Sequence, residues 1–131
     1  MSDKSVAVLV PGRIHPRVLE RLHETFEVVS VPMGPPTEID PAARERIRGV
    51  AVSGVLDNSW IDVLPNLEIV SNFGVGYDGV GTKKAVEHGI VVTHTPDVLN
   101  DEVADTTIAL LLNTVRQVPK AENYLREGRW E

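Results

Sequence analysis

The chain has 131 residues, a formal net charge of −6 and no cysteine. That length suits one compact domain with its own core, and the missing thiols exclude thiol catalysis, iron–sulfur clusters, thiolate zinc sites and a disulfide framework. An acidic chain with no basic run is a poor partner for nucleic acid or an anionic membrane.

No apolar run is long enough to span a bilayer, and the first five residues show no leader pattern, so a cytoplasmic protein is expected. Residues 6–10 (Val-Ala-Val-Leu-Val) are apolar throughout and end at Pro11-Gly12, which predicts a strand buried on both faces. A helix follows from about His15, with Val18, Leu19 and Leu22 on one face. Residues 26–30 read as a second strand, and the Pro32 to Pro36 stretch as a loop. Asp40-Pro41 predicts a helix start, with Asp40 as N-cap and proline at the first helical position. Residues 49–53 form a third strand closed by Gly54.

Asn58 or Ser59 is expected to cap a short helix containing Trp60, Ile61 and Leu64. A fourth strand over 67–71 runs into a glycine-rich loop. Thr82 is expected to cap a helix over 83–87, ended by Gly89 in the left-handed conformation. A fifth strand covers 90–93, and Thr95-Pro-Asp is a turn. A long helix spans about 101–117, and a short one 119–127.

Strands alternating with helices imply a parallel sheet covered on both faces. Right-handed crossovers and five strands make the expected fold α/β, a flavodoxin-like doubly wound parallel sheet. The only candidate boundary lies near Pro119, giving a domain over 1–118 and a further segment over 119–131.

Gly74-Val-Gly-Tyr-Asp-Gly79 matches G-x-G-x-x-G after a strand, with Asp97 some way on. Three features argue against a dinucleotide site. The fingerprint belongs to the first β-α turn, and this is the fourth. Its third glycine sits inside a helix, whereas Gly79 is followed by Val80 and Gly81. Asp97 follows Pro96 in a turn. The same physics fits a smaller anion: glycines expose backbone N–H groups at the carboxyl end of a strand, where open α/β sheets bind ligands. On spacing alone, a tight turn using glycine for conformation only stands equally beside that reading.

Three stretches in order then carry a resemblance: Ser71-Asn-Phe-Gly-Val-Gly-Tyr-Asp78, His88-Gly-Ile-Val-Val-Thr-His-Thr-Pro-Asp-Val-Leu-Asn100 and Val103-Ala-Asp-Thr-Thr-Ile-Ala-Leu-Leu-Leu112. The chain resembles the D-isomer-specific 2-hydroxyacid dehydrogenases, and within them the glyoxylate/hydroxypyruvate reductases. The resemblance implies a two-domain enzyme that reduces a small 2-oxo acid with NAD or NADP, of which this chain is the substrate-binding domain and the start of the interdomain segment. It implies that the backbone amides of Val75 and Gly76, flanked by Gly74 and Tyr77, hold the substrate carboxylate. Val55 and Leu56 line the pocket. The helix start from Asn100 to Val103 faces the nicotinamide side of the cleft, with Asn100 among the substrate-binding residues and Val103 beside the cofactor. Some relatives carry threonine where this chain has Val103, so only packing against the cofactor is expected there.

The family's arginine, its acid/base histidine, the carboxylate that orients it and the true dinucleotide fingerprint all lie downstream. The chain alone is therefore expected to be inactive and to bind no cofactor. A free-standing flavodoxin-like module, binding a small acid or a protein without catalysis, is the competing reading. Many relatives have Asn-Ile-Asp or Asn-Val-Asp where this chain has Gly79-Val-Gly81. Without the second domain, an apolar patch is expected on the sheet, covered by the 101–117 helix folding back or exchanged between two chains as a homodimer.

Other residues have plainer readings. His15, His23, His88 and His94 lack metal spacing and suit solvated or capping roles, with His94 nearest the site. Asp78, Asp97 and Asp105 read as caps and turn formers, Arg13 as a surface residue, and Trp60 and Trp130 as packing residues.

Overall fold

The computed structural model describes residues 4–130. The strands β1 (Ala7–Pro11), β2 (Glu27–Val31), β3 (Ile47–Val52), β4 (Ile69–Asn72) and β5 (Val91–Thr93) form one five-stranded sheet in the order β2-β1-β3-β4-β5. Every pairing is parallel. Helices α1 (Pro16–Thr25), α2 (Pro41–Arg46), α3 (Ser59–Val63) and α4 (Thr82–Glu87) make the crossovers. This is the flavodoxin-like order expected from the alternating pattern.

β1 is buried along its whole length because it lies between β2 and β3. Its side chains alternate between two cores. Ala7 and Leu9 join Trp60 and Ile61 of α3, Leu64 just after it, and Ala85 of α4. Val8 and Val10 meet Leu19 and Leu22 of α1. Helices therefore cover both faces. On the α1 face, the β4–β5 half is bare, with Ile69, Val91 and Phe73 exposed beside a shallow apolar groove.

β3 begins two positions before the glycine expected to open it, and irregularly. Ala7 pairs with Ile47 but Val8 pairs with Gly49, so Arg48 is an extra, bulged residue. The bulge lets Ile47, Val50 and Val52 share one core while exposed Arg48 pairs with Glu68. A strict two-residue alternation would place Ile47 and Val50 on opposite faces, and the bulge brings them to one.

Caps explain the local boundaries. His15 precedes α1, and its Nδ1 accepts from Arg17 N–H at 3.3 Å. Asp40 caps α2 by accepting from Ala43 N–H at 3.1 Å, ahead of Pro41. Neither expected cap of α3 operates. Asn58 makes no capping bond there. Asp57 takes that role, accepting from Ser59 N–H at 2.9 Å and from the Ser59 hydroxyl. Those bonds, the hydroxyl first, hold the Asp57 carboxyl below its usual range. Their support of the folded state is thus present above the ordinary aspartate range and lost as pH falls through the lowered value. Thr82 makes no cap for α4 either: it is the first helical residue, and Gly81 is the N-cap. Gly89, at φ +69°, ends α4 in the left-handed region as expected.

The chain divides into a first unit ending at Pro96 and a second from Asp97, which groups the long helix with the residues after it rather than with the sheet. The second unit holds α5 (Asn100–Arg116) and α6 (Val118–Arg126), joined at Gln117, whose left-handed φ of 51° turns the chain between them. No residue of either helix is buried, and Ile108, Leu110, Leu111, Leu112 and Val115 are exposed. Arg129 sits 4.8 Å from the Tyr124 ring centroid. Among the described residues, no helix is long and apolar enough to cross a membrane, and no cluster of residues could hold a metal ion.

Candidate carboxylate-binding site

The glycine loop leaves the end of β4 at the carboxyl edge of the sheet. Its carbonyls are fixed one after another. Gly74 O accepts from Thr95 N–H at 2.9 Å. Val75 O lies 2.7 Å from His94 Nδ1. Gly76 O accepts from Asn72 Nδ2 at 2.6 Å, and Tyr77 O from Val80 N–H at 3.0 Å. Among the described residues, every peptide bond is trans. A trans peptide points its C=O and N–H in opposite directions. Anchoring the carbonyls of Gly74, Val75 and Gly76 inward therefore turns the N–H groups of Val75, Gly76 and Tyr77 outward. Among the described residues, none of these three N–H groups finds an acceptor. Successive outward N–H groups form a concavity of partial positive charge suited to an anion.

A second loop braces the first. Asn72 is only 5% exposed and bridges both: its Oδ1 accepts from Gly54 N–H at 3.4 Å while its Nδ2 holds Gly76 O. Leu56 N–H donates to Gly79 O at 2.9 Å. Gly81 N–H donates to Asn58 Oδ1 at 2.8 Å. A Cβ on Gly79 would overlap the Gly54 carbonyl oxygen and come within 3.2 Å of Val55 Cα. A Cβ on Gly81 would overlap the Asn58 carboxamide. Gly79 and Gly81 thus serve close approach of two backbones, and the departure from Asn-Ile-Asp is matched by Asn58 across the gap.

Of the residues expected at the site, Gly74, Val75, Gly76 and Tyr77 lie together on this loop, and Val55 is 68% exposed on the bracing loop. Leu56, next to Val55, is 2% exposed within the core, and its N–H donates to Gly79 O, so it anchors the bracing loop. Asn100 and Val103 belong to the second unit. Asn100 opens α5 and donates from Nδ2 to Asp97 Oδ1 at 3.0 Å, and Val103 is exposed on the first turn. Sequence reasoning passed over Asn72 and gave Asn58 only a capping role. A polar residue closing an otherwise apolar strand, directly before glycines, was the available signal for Asn72, because a buried amide must find partners. Nothing local announces Asn58, whose partner is distant in sequence.

Residues 6–125 match the family model for the D-isomer specific 2-hydroxyacid dehydrogenase, catalytic domain. The chain belongs to that family. It is 35% identical over 137 aligned positions to a glyoxylate reductase from Thermococcus kodakarensis, covering 95% of this chain and 38% of the relative. A solved NADPH-dependent glyoxylate/hydroxypyruvate reductase from Sinorhizobium meliloti, in complex with citrate, is 55% identical with a TM-score of 0.85, over 96% of this chain and 39% of that one. The same enzyme in complex with NADP and malonate gives 54% and 0.82. The chain spans roughly two fifths of the length of these relatives.

Family members named for NADP need a dinucleotide site, and the Gly74 to Gly79 loop does not fit one. α4 starts only at Thr82, so Gly79 lies outside it. Gly79 packs against Gly54 rather than fitting a helix to a strand.

Proposed function

We propose that this chain is the substrate-binding domain of an NAD(P)-dependent D-2-hydroxyacid dehydrogenase that reduces 2-oxo acids of the glyoxylate and hydroxypyruvate type. The observation that carries the reading is the run of anchored carbonyls that presents the Val75, Gly76 and Tyr77 N–H groups outward. A carboxylate suits three such donors, because charge-assisted bonds to backbone N–H groups are about twice as strong as neutral ones. The citrate and malonate of the Sinorhizobium meliloti complexes are carboxylates of this kind.

In this reading, Val75 and Gly76 hold the carboxylate, and Gly74, Tyr77 and Val55 shape the space around the rest of the substrate. Asn100 and Val103 face the nicotinamide, Val103 by packing alone. Residues 1–118 form the substrate domain, and 119–131 begin the link to a nucleotide-binding domain that supplies hydride and proton transfer. The protein works in the cytoplasm, and α5 exchanges between two chains of a homodimer.

Titration of the ¹⁵N-labelled 131-residue chain with oxalate should move the amide signals of Val75, Gly76 and Tyr77. Silence at all three refutes the carboxylate reading. The same chain mixed with NADPH and glyoxylate should show no NADPH oxidation, and clear turnover would refute the division of labour. Sedimentation over a range of concentrations should reveal a dimer; a strict monomer excludes helix exchange.

A further inference from the structure

The anchors of the loop are not equivalent. Gly74 O is held by the main-chain N–H of Thr95, which a residue of almost any type would supply. Asn72 holds Gly76 O but also receives Gly54 N–H, so its loss disturbs two loops at once. Val75 O is held by the His94 ring alone. The other end of that same peptide is Gly76 N–H.

We infer that His94 is a positioning residue of the carboxylate site, aiming the Gly76 N–H through a hydrogen bond to the Val75 carbonyl. The inference rests on the reading of this loop as a carboxylate holder. A carbonyl oxygen only accepts, so at 2.7 Å the His94 Nδ1 must carry the proton and donate. The ring is held for this by Tyr77, edge to face at 5.1 Å between centroids and 67° between planes. The result is a chain of donors: His94 Nδ1–H to Val75 C=O, and from the same peptide Gly76 N–H to the anion. Each bond polarises the next, strengthening it by roughly 10–30%. The effect is directional. Removing the His94 donor weakens the Gly76 contact first, because the Gly74–Val75 peptide keeps its own anchor on Thr95. A histidine that merely packs on Tyr77 predicts no such selectivity.

The test uses the ¹⁵N-labelled 131-residue chain with oxalate as probe. In ligand-free wild type, the His94 ring signals should place the proton on Nδ1. His94→Phe keeps an aromatic ring against Tyr77 without the donor. It should shift the ligand-free Gly76 amide upfield, leave the Val75 amide near its position and weaken oxalate binding about tenfold. His94→Asn, whose carboxamide can donate, should restore much of that affinity. An unmoved Gly76 amide in His94→Phe with oxalate affinity within about twofold of wild type, or a proton found on Nε2, overturns the inference. Wild-type silence toward oxalate overturns the carboxylate reading itself. The ligand-free Gly76 shift tells the two failures apart, because His94→Phe moves it only where the anchor exists.

Discussion

Gly79→Ala should lower the stability of the chain by about 1–3 kcal/mol, the usual cost of forcing a methyl group into filled space, and weaken oxalate binding by about tenfold or more. The added Cβ meets the Gly54 carbonyl and the Val55 backbone, and neither can rotate away. The two loops must part, and Leu56 N–H loses Gly79 O. Urea denaturation and oxalate titration check the two effects together. Gly76→Ala is the contrast. Its Cβ approaches Asp78 Oδ1 at 2.6 Å, the end of a side chain that can swing aside. Stability should fall less there, although a methyl group beside the anion still obstructs it. Wild-type stability and unchanged oxalate shifts in Gly79→Ala would sink the account of the braced loops.

Trp60→Ala should cost about 3–5 kcal/mol, the range for deleting a buried aromatic side chain. Trp60 is 0% exposed and lies in the larger core. Its Nε1–H also donates to Gly34 O at 3.0 Å, tying down the proline-rich loop after β2. Against a typical total of about 5–15 kcal/mol, such a loss leaves a substantial unfolded fraction. Trp60→Phe keeps most of the burial and loses the hydrogen bond, so it should cost about 1 kcal/mol for that bond plus the smaller ring's packing deficit. Far-UV circular dichroism during urea denaturation separates the variants. Equal midpoints for Trp60→Ala and wild type would show that α3 is not held by this residue.

The strand order and crossovers were legible because apolar runs and amphipathic segments alternate at regular spacing. Asp40-Pro41 was legible as a helix start because its cap and its proline act within a few residues of each other. Errors arose where a side chain answers a partner far along the chain. Asn58 looks like a cap until Gly81 is brought beside it. Thr82 looks like a cap until Gly81 is seen to take that place. Val55 and Leu56 are neighbours on an irregular loop and face opposite ways, one outward and one into the core, which no local pattern announces. The Arg48 bulge broke the two-residue period that sequence reading relies on. The site itself was half legible. The glycines announced exposed N–H groups, but His94, which fixes the Val75 carbonyl, reaches it only once β4 and β5 lie side by side.

A grip made of main chain has an evolutionary consequence. Val75 contributes its N–H whatever side chain it carries, and so does Tyr77. The Val75 and Val55 side chains are exposed and free to vary, whereas the Tyr77 ring is kept by its contact with His94. Selection for a longer or bulkier acid can therefore rewrite these two positions while the hold on the carboxylate passes unaltered from ancestor to descendant. Substrate range in such a lineage can drift quickly around a recognition element that hardly changes.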